Sequence, residues 1–190
     1  MRRANAEQVV LVNQLNEVLG ERPKSEVHSA KTPLHRGFSV FVFARDGRLL
    51  VQRRSEQKQT WPLAWSNSCC GHPNLGESDV DAARRRLKAE LSLTVDQIDV
   101  LLPDYRYCCV RDGIMENELC PVLVATTEHE PVPNPKEVAE IRWVSWPVFL
   151  AETERVDTEF SEWCVEEARL LQQHERFLEF LAGCSDRPSS

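Results

Sequence analysis

The segment MENEL, residues 115–119, sets Glu116 and Glu118 two positions apart. In an extended chain that spacing puts both carboxylates on one face. Side by side they repel. The pair therefore reads either as a solvated edge face, or as a buried pair that needs a cation or a proton. The flanking runs YRYCCV (105–110) and CPVLVA (120–125) read as core. That favours the second reading, a metal site or an acid/base pair. A second stretch, NSCCGHP (67–73), carries adjacent Cys69 and Cys70 and then His72. Its cysteines could form a disulfide, half of a metal site, a reactive thiol or buried filler. In an extended segment neighbours point to opposite sides, so Cys70 and His72 share a side and Cys69 faces away.

The chain has five histidines. His129 lies in an acidic loop and His174 on an amphipathic helix, and both read as structural. His28, His35 and His72 fall in loops before and beside the expected core. Three imidazoles with two carboxylates would make a five-ligand nitrogen and oxygen site, a set that tolerates Zn²⁺, Mn²⁺ or Mg²⁺. Cations also gather. Lys24, Arg53, Arg54 and Lys58 lie in or beside loops, and Arg84, Arg85 and Arg86 on one helix. Solvated charge is one reading of them. An anion pocket is the other, because arginine forks and lysine point charges fit phosphates.

These residues need a scaffold, and 190 residues suffice for one domain with a sizeable core. A net charge of -7 argues against general nucleic-acid binding. No apolar run approaches the ~18 residues of a membrane span, and the start MRRANAEQVVLVNQLNE lacks the long apolar stretch and cleavage site of a signal peptide. Seven cysteines without CxxC imply reduced thiols in a cytoplasm rather than a disulfide framework or zinc ribbon.

VVLVN (9–13) reads as a strand, and GERPKSEVHSAKTP as a loop carrying His28. Asp46-Gly47 marks a hairpin between strands at about 37–44 and 48–53. Ser78 reads as an N-cap with Asp81 three residues on. Val80, Ala83, Leu87 and Leu91 follow as the buried stripe of a helix, flanked by Arg86 and Glu90. YRYCCV and MENELCPVLVATT read as two strands joined by Asp112-Gly113, EIRWVSW as another, and Pro147 as opening a short helix. From about residue 160, Trp163, Glu167, Leu170, Leu171, His174, Phe177, Leu178 and Leu181 predict one helix stopped by Gly183, and the tail SDRPSS reads as frayed. The mixture predicts an α+β domain.

GHPNLGESDVDAARRRLKAEL resembles a Nudix box: glycine, five residues, Glu77, seven residues, Arg85 and a carboxylate at Glu90. It departs from the box at Arg86 and Ala89, where glutamates are expected, and at Ser92, where glycine is. The metal-binding face has lost carboxylates and gained cations. With SNSCCGHP, LGES, PDYRY and GIMENELCPV, the chain from about Val9 through Trp163 resembles the type I isopentenyl-diphosphate Δ-isomerase family. The resemblance implies a Nudix-type fold, a mixed sheet packed between helices in a single compact domain. Residues 1–32 would supply a strand and a metal- and substrate-contributing loop, 33–167 the catalytic domain, and 168–190 a C-terminal helix and tail.

It further implies that His28, His35, His72, Glu116 and Glu118 bind one divalent metal (Mn²⁺, Zn²⁺ or Mg²⁺), and that Cys70 and Glu118 are the catalytic pair. Glu90 and the main-chain carbonyl of Cys70 would hold a Mg²⁺ that bridges to the diphosphate. Lys24, Arg54, Lys58 and Arg86 would receive that diphosphate, Tyr107 would stand near the catalytic glutamate, and the Trp163 ring would face the cationic carbon. The substrate would be an isoprenoid diphosphate, with no nucleic acid and no membrane insertion, and the protein a cytoplasmic monomer or weak homodimer.

Such chemistry needs an acid and a base across a flat alkene. A helix or cation beside the thiol would favour thiolate, and the site must exclude water. Trp61, Trp65 and Trp163 would supply ring faces for a cation. A diphosphate hydrolase is the competing reading, which the depleted carboxylate helix opposes. A non-catalytic binding module is the third, which the retained Cys70 and Glu118 oppose.

Overall fold

The computed structural model describes residues 7–185. The first six residues, part of the start read as carrying no signal peptide, and residues 186–190, in the tail read as frayed, lie outside the described residues. The chain runs β1 (Gln8–Val12), β2 (Val18–Pro23), α1 (Lys24–Val27), β3 (His35–Arg36), β4 (Phe38–Ala44) and β5 (Arg48–Arg54). The short pieces β6 (Trp65–Ser66) and β7 (Cys69–Gly71) precede α2 (Asp79–Leu91). Then come β8 (Ile98–Leu102), β9 (Arg106–Arg111), β10 (Ile114–Leu119), β11 (Val122–Thr127) and β12 (Val138–Ser145). The chain ends in α3 (Trp146–Thr153), α4 (Glu162–Gln172) and α5 (Glu175–Ser185).

Two mixed sheets result. One has the order β2-β1-β3-β10-β9. The other runs β12-β5-β4-β11-β8, with β6 added to β5 and β7 to β4. The same two chain segments form the parallel pair at the heart of each sheet: β3 with β10, then β4 with β11. They pass from one sheet to the other together, at Gly37 and at Cys120-Pro121. There Gly37 N donates to Leu119 O, and Ser39 N to Pro121 O. Proline has no N–H for a ladder, which is why MENELCPVLVATT is two strands in two sheets and not the single strand its sequence suggests.

The apolar run FSVFVFA is buried on both faces, as a strand covered on both sides must be. Phe41 and Phe43 face α3 through Trp146 and Phe149, and Phe43 faces α5 through Phe177. Phe38, Val40 and Val42 share the opposite core with Ala83, Leu87 and Leu91 of α2. Ser78 caps α2 as its sequence predicts, accepting from Asp81 N at 3.1 Å.

Four further expectations are corrected. β2 replaces part of the loop around His28. Its sequence VLGERP is mostly exposed, so an edge strand there has no apolar alternation to betray it. β8, outside the predicted strands, pairs antiparallel with β11. YRYCCV is core on one face only: Tyr105 is buried and Tyr107 and Cys109 pack against the core, while Arg106, Cys108 and Val110 of the outer strand β9 are exposed. The single C-terminal helix is two, broken at Gln173-His174, with Gly183 inside α5. The His174 carbonyl accepts from Phe177 N and Leu178 N and so starts the second helix.

Candidate active site

The crossover between the sheets assembles the chemistry. Parallel register sets His35 of β3 opposite Glu118 of β10, and antiparallel register sets Tyr107 of β9 on the other side of Glu118. β7 pairs Cys70 with Ser39 and leads directly to His72. His28 follows the single turn α1. The three imidazoles then lie with ring centroids 5.2–5.7 Å apart. Ligand atoms of His28, His35, His72 and Glu118 all lie within 4.8 Å of one another, and all four residues are buried. Glu118 Oε1 is 3.2 Å from His35 Nε2 and 3.1 Å from His72 Nε2. Glu116 reaches the cluster through His28, its Oε2 lying 3.0 Å from His28 Nε2.

The cluster fits a divalent cation. His28 Nε2, His35 Nε2 and Glu116 Oε2 are buried and have no hydrogen-bond partner among the described residues. Each faces only another ligand atom of the cluster, at 3.0–3.2 Å, and a buried carboxylate and an imidazole lone pair held that close need a proton or a cation between them. The far nitrogens of two rings rest near backbone carbonyls, His35 Nδ1 2.9 Å from Pro33 O and His28 Nδ1 3.4 Å from Lys24 O. That fixes the tautomer which points Nε2 inward, the usual outer support of a metal-binding histidine. Burial alone would raise the Glu118 pKa, but contacts from His35 and His72 outweigh it and hold the carboxyl well below its ordinary range. Gly37 makes room for it: a Cβ there would overlap the Glu118 carboxylate.

Beside this cluster a cleft of ≈ 40 Å³ is lined by Lys24, Arg54, Thr60, Cys70, Gly71, His72, Tyr107, Glu116, Glu118 and Trp163. Cys70 and Glu118 therefore line one cavity, from different sheets. Cys69 faces the other way, fully buried in the core with Phe38 and Val40, and no disulfide joins it to Cys70. Cys70 Sγ donates to Asn67 Oδ1 at 3.1 Å and lies 3.5 Å from Ser39 Oγ. Burial, followed by the neighbouring Glu167, pushes this thiol up to about 12. The Ser39 hydroxyl and then Arg54 pull the other way but do not prevail, so the cation beside the thiol does not make it a thiolate. Tyr107 packs on Trp163 at 5.5 Å, and the Arg54 guanidinium lies over the Trp163 ring at 5.6 Å. Trp61 meets Trp163 at 5.3 Å. Trp65 does not line the cleft: it packs on Phe160 with Arg142 over its ring.

The other cations divide. Lys58 and Arg86 meet at Glu90, whose carboxylate is fully buried and also accepts from Gln52 Nε2. Burial would raise the Glu90 pKa, but Lys58 and Arg86 lower it further than burial lifts it. Glu137 bridges the same two cations from the proline-rich loop. Lys24 pairs with Glu7 at 3.1 Å. Arg84 and Arg85, grouped with these in the sequence, serve structure instead. Arg84 donates to the carbonyls of Val95 and Asp96, and Arg85 to Glu77 and the His72 carbonyl. Arg53 donates to Leu63 O.

Sequence reasoning missed Ser39, Asn67, Glu137 and the role of Glu167. Glu167 is fully buried behind Cys120, with Cys120 Sγ 4.0 Å from its Oε1, and burial pushes its carboxyl well above the ordinary range. The signal was present: it stands in the apolar stripe of its helix, where a charged residue has no packing reason to be. Asn67 carried no such mark. Its role comes from its amide, which donates to Val40 O and Cys69 O and so aims Oδ1 at Cys70.

Residues 33–164 match the NUDIX domain. The fold is that of solved Nudix-type structures. A protein of Deinococcus radiodurans aligns with a TM-score of 0.68 at 22% identity, covering 86% of this chain and 98% of that one. The MutT protein of Methanosarcina mazei aligns at 0.60 and 19% identity, covering 78% and 95%. Closer in sequence are proteins named isopentenyl-diphosphate Delta-isomerase. That of Saccharopolyspora erythraea is 46% identical over 159 residues, 83% of this chain and 82% of its own length. That of Rhizobium rhizogenes is 44% identical over 167 residues, 87% and 80%. On its Nudix fold, the chain belongs to the isopentenyl-diphosphate Delta-isomerase family.

Proposed function

We propose that this enzyme interconverts isopentenyl diphosphate and dimethylallyl diphosphate, with Cys70 and Glu118 as the opposed proton-transferring groups. The observation that carries the reading is their convergence, thiol and carboxylate, on one cleft walled by Trp163 and Tyr107 and edged by Lys24 and Arg54. Family membership supplies the substrate class. In the reaction a proton is added at one end of a three-carbon unit and another is lost from the far end, so the double bond moves and the diphosphate stays attached. Cys70 and Glu118 exchange the donor and acceptor roles when the direction reverses. Asn67 Oδ1 keeps the thiol proton at Cys70 Sγ in the resting cleft. The tertiary cation formed on the way is shielded from water by the aromatic wall, and a ring face stabilises it by roughly 0.5–2 kcal/mol.

His28, His35, His72, Glu116 and Glu118 would hold Mn²⁺, Zn²⁺ or Mg²⁺, which supplies positive charge that keeps the buried carboxylates ionised and oriented. Glu90 and the Cys70 carbonyl would hold Mg²⁺ with the diphosphate. Lys58 and Arg86, now shared by Glu90 and Glu137, then turn to the phosphates, with Lys24 and Arg54 at the cleft edge. That binding places the alkene between the reacting groups. The reading includes a monomer or weak homodimer in the cytoplasm, where seven cysteines without a disulfide framework would stay reduced.

Isopentenyl diphosphate incubated with the protein and Mg²⁺ in D₂O is expected to give deuterated dimethylallyl diphosphate. Cys70→Ala and Glu118→Gln should each abolish exchange, while Cys69→Ala keeps most of it. Release of phosphate in place of exchange would show a hydrolase, and a dead Cys69→Ala beside an active Cys70→Ala would move the thiol role.

A further inference from the structure

The three imidazoles of the cluster are not supported alike. His28 and His35 each set Nδ1 near a main-chain carbonyl, at 3.4 and 2.9 Å. His72 Nδ1 is buried and has no hydrogen-bond partner among the described residues. Facing it at 3.8 Å is Glu7 Oε1, also buried and also without a partner. One atom offers an N–H and the other a lone pair. At 3.8 Å they form an ion-pair contact longer than a hydrogen bond, which a small carboxylate rotation closes.

We propose that Glu7 is a positioning residue for the metal centre: its carboxylate takes the Nδ1–H of His72 and thereby turns His72 Nε2 toward Glu118 and the bound cation. This rests on the metal reading above. A carboxylate behind a metal-bound imidazole fixes the ring and raises its basicity, as a backbone carbonyl does for the other two. The second oxygen of Glu7 extends the role. Glu7 Oε2 accepts from Lys24 Nζ at 3.1 Å, and the Glu7 carbonyl accepts from Lys24 N at 2.8 Å. Lys24 edges the cleft, and its own carbonyl supports His28. One residue just before β1 thus ties a ligand on each of two separate segments to the diphosphate-facing lysine.

The test is metal binding without substrate. Zn²⁺ alone is titrated into metal-free protein against a chromophoric chelator, for wild type, Glu7→Gln, Glu7→Ala and Lys24→Met. Glu7→Ala is expected to weaken Zn²⁺ binding about 10–100-fold. Glu7→Gln, nearly the same shape, should fall between wild type and Glu7→Ala because its amide oxygen still accepts the N–H without the charge. Lys24→Met should raise KM for the diphosphate and leave Zn²⁺ affinity near wild type. In ¹⁵N spectra of the Zn²⁺-loaded protein, the His72 Nδ1–H signal should shift in both Glu7 variants while those of His28 and His35 stay. Wild-type Zn²⁺ affinity and an unmoved His72 signal in both Glu7 variants would overturn the proposal. So would equal losses in Lys24→Met and Glu7→Ala, which would place the effect in the lysine. A wild-type protein that binds no Zn²⁺, Mn²⁺ or Mg²⁺ would instead overturn the metal reading itself.

Discussion

At Gly37 the side chain that is missing matters as much as those present. Its N–H is committed to Leu119 O, and its Cα lies against the Glu118 carboxylate where a Cβ would overlap. The backbone there is ordinary, so alanine is not strained by its dihedrals. The far end of Glu118 would have to move instead, off His35 and His72. Gly37→Ala is therefore expected to keep the fold and lose about 10²-fold in kcat, the cost of misplacing the proposed proton-transferring group by about 1 Å. Steady-state kinetics beside a circular dichroism spectrum checks this; unchanged kcat would mean Glu118 has slack. Gly71 shows the same logic at Arg86, a residue proposed to receive the diphosphate, since a Cβ there would crowd Arg86 Cγ at 2.9 Å. Neither requirement is visible in the sequence, because a glycine in a string of letters does not say what approaches it. Cys70 and His72, by contrast, were legible as sharing a side, since period two follows from extended geometry alone.

Helix α2 was legible for a related reason: its cap, its 3.6-residue apolar period and its end are local. Ser78 accepts from Asp81 N, and Ala83, Leu87 and Leu91 are buried. Leu87→Ala should cost about 2–5 kcal/mol of unfolding free energy, as large-to-small core changes do. The departure at Ser92 resolves into a backbone cost. Ser92 caps the helix with φ 51°, in the left-handed region, and its N–H donates to Leu87 O and Lys88 O. Its side chain is exposed. Glycine adopts that conformation without the Cβ penalty. Ser92→Gly should gain about 0.5–1 kcal/mol in a urea titration with turnover unchanged. No gain would mean that the serine is not strained there. Elements whose existence depends on distant partners escaped the sequence. β2 is an exposed edge with no alternation, and the break at His174 is a capping event inside an unbroken apolar period.

Across the whole molecule, the cluster sits where two sheets part, so its ligands come from segments far apart in sequence. A cation bound there would join the β3–β10 pair to the loops carrying His28 and His72, and its removal should destabilise the protein as well as inactivate it. The size of that effect depends on pH, with a definite sign. In the metal-free cluster burial would lower the His35 pKa, but contact with Glu118 outweighs it and raises it above the ordinary value. A raised histidine contributes stability that is fully present below its unfolded pKa and is lost as pH rises through the folded value. The metal-bound cluster needs neutral imidazoles, so it gains with rising pH over the same range. Glu118, held low, stays ionised throughout and adds no slope. The melting temperatures of metal-loaded and chelator-treated protein should therefore lie close together near about pH 5.5 and separate steadily toward about pH 8. Differential scanning calorimetry across that range, with and without chelator, measures the gap. A gap that is constant or shrinks with rising pH would mean that the imidazoles do not exchange protons for the metal.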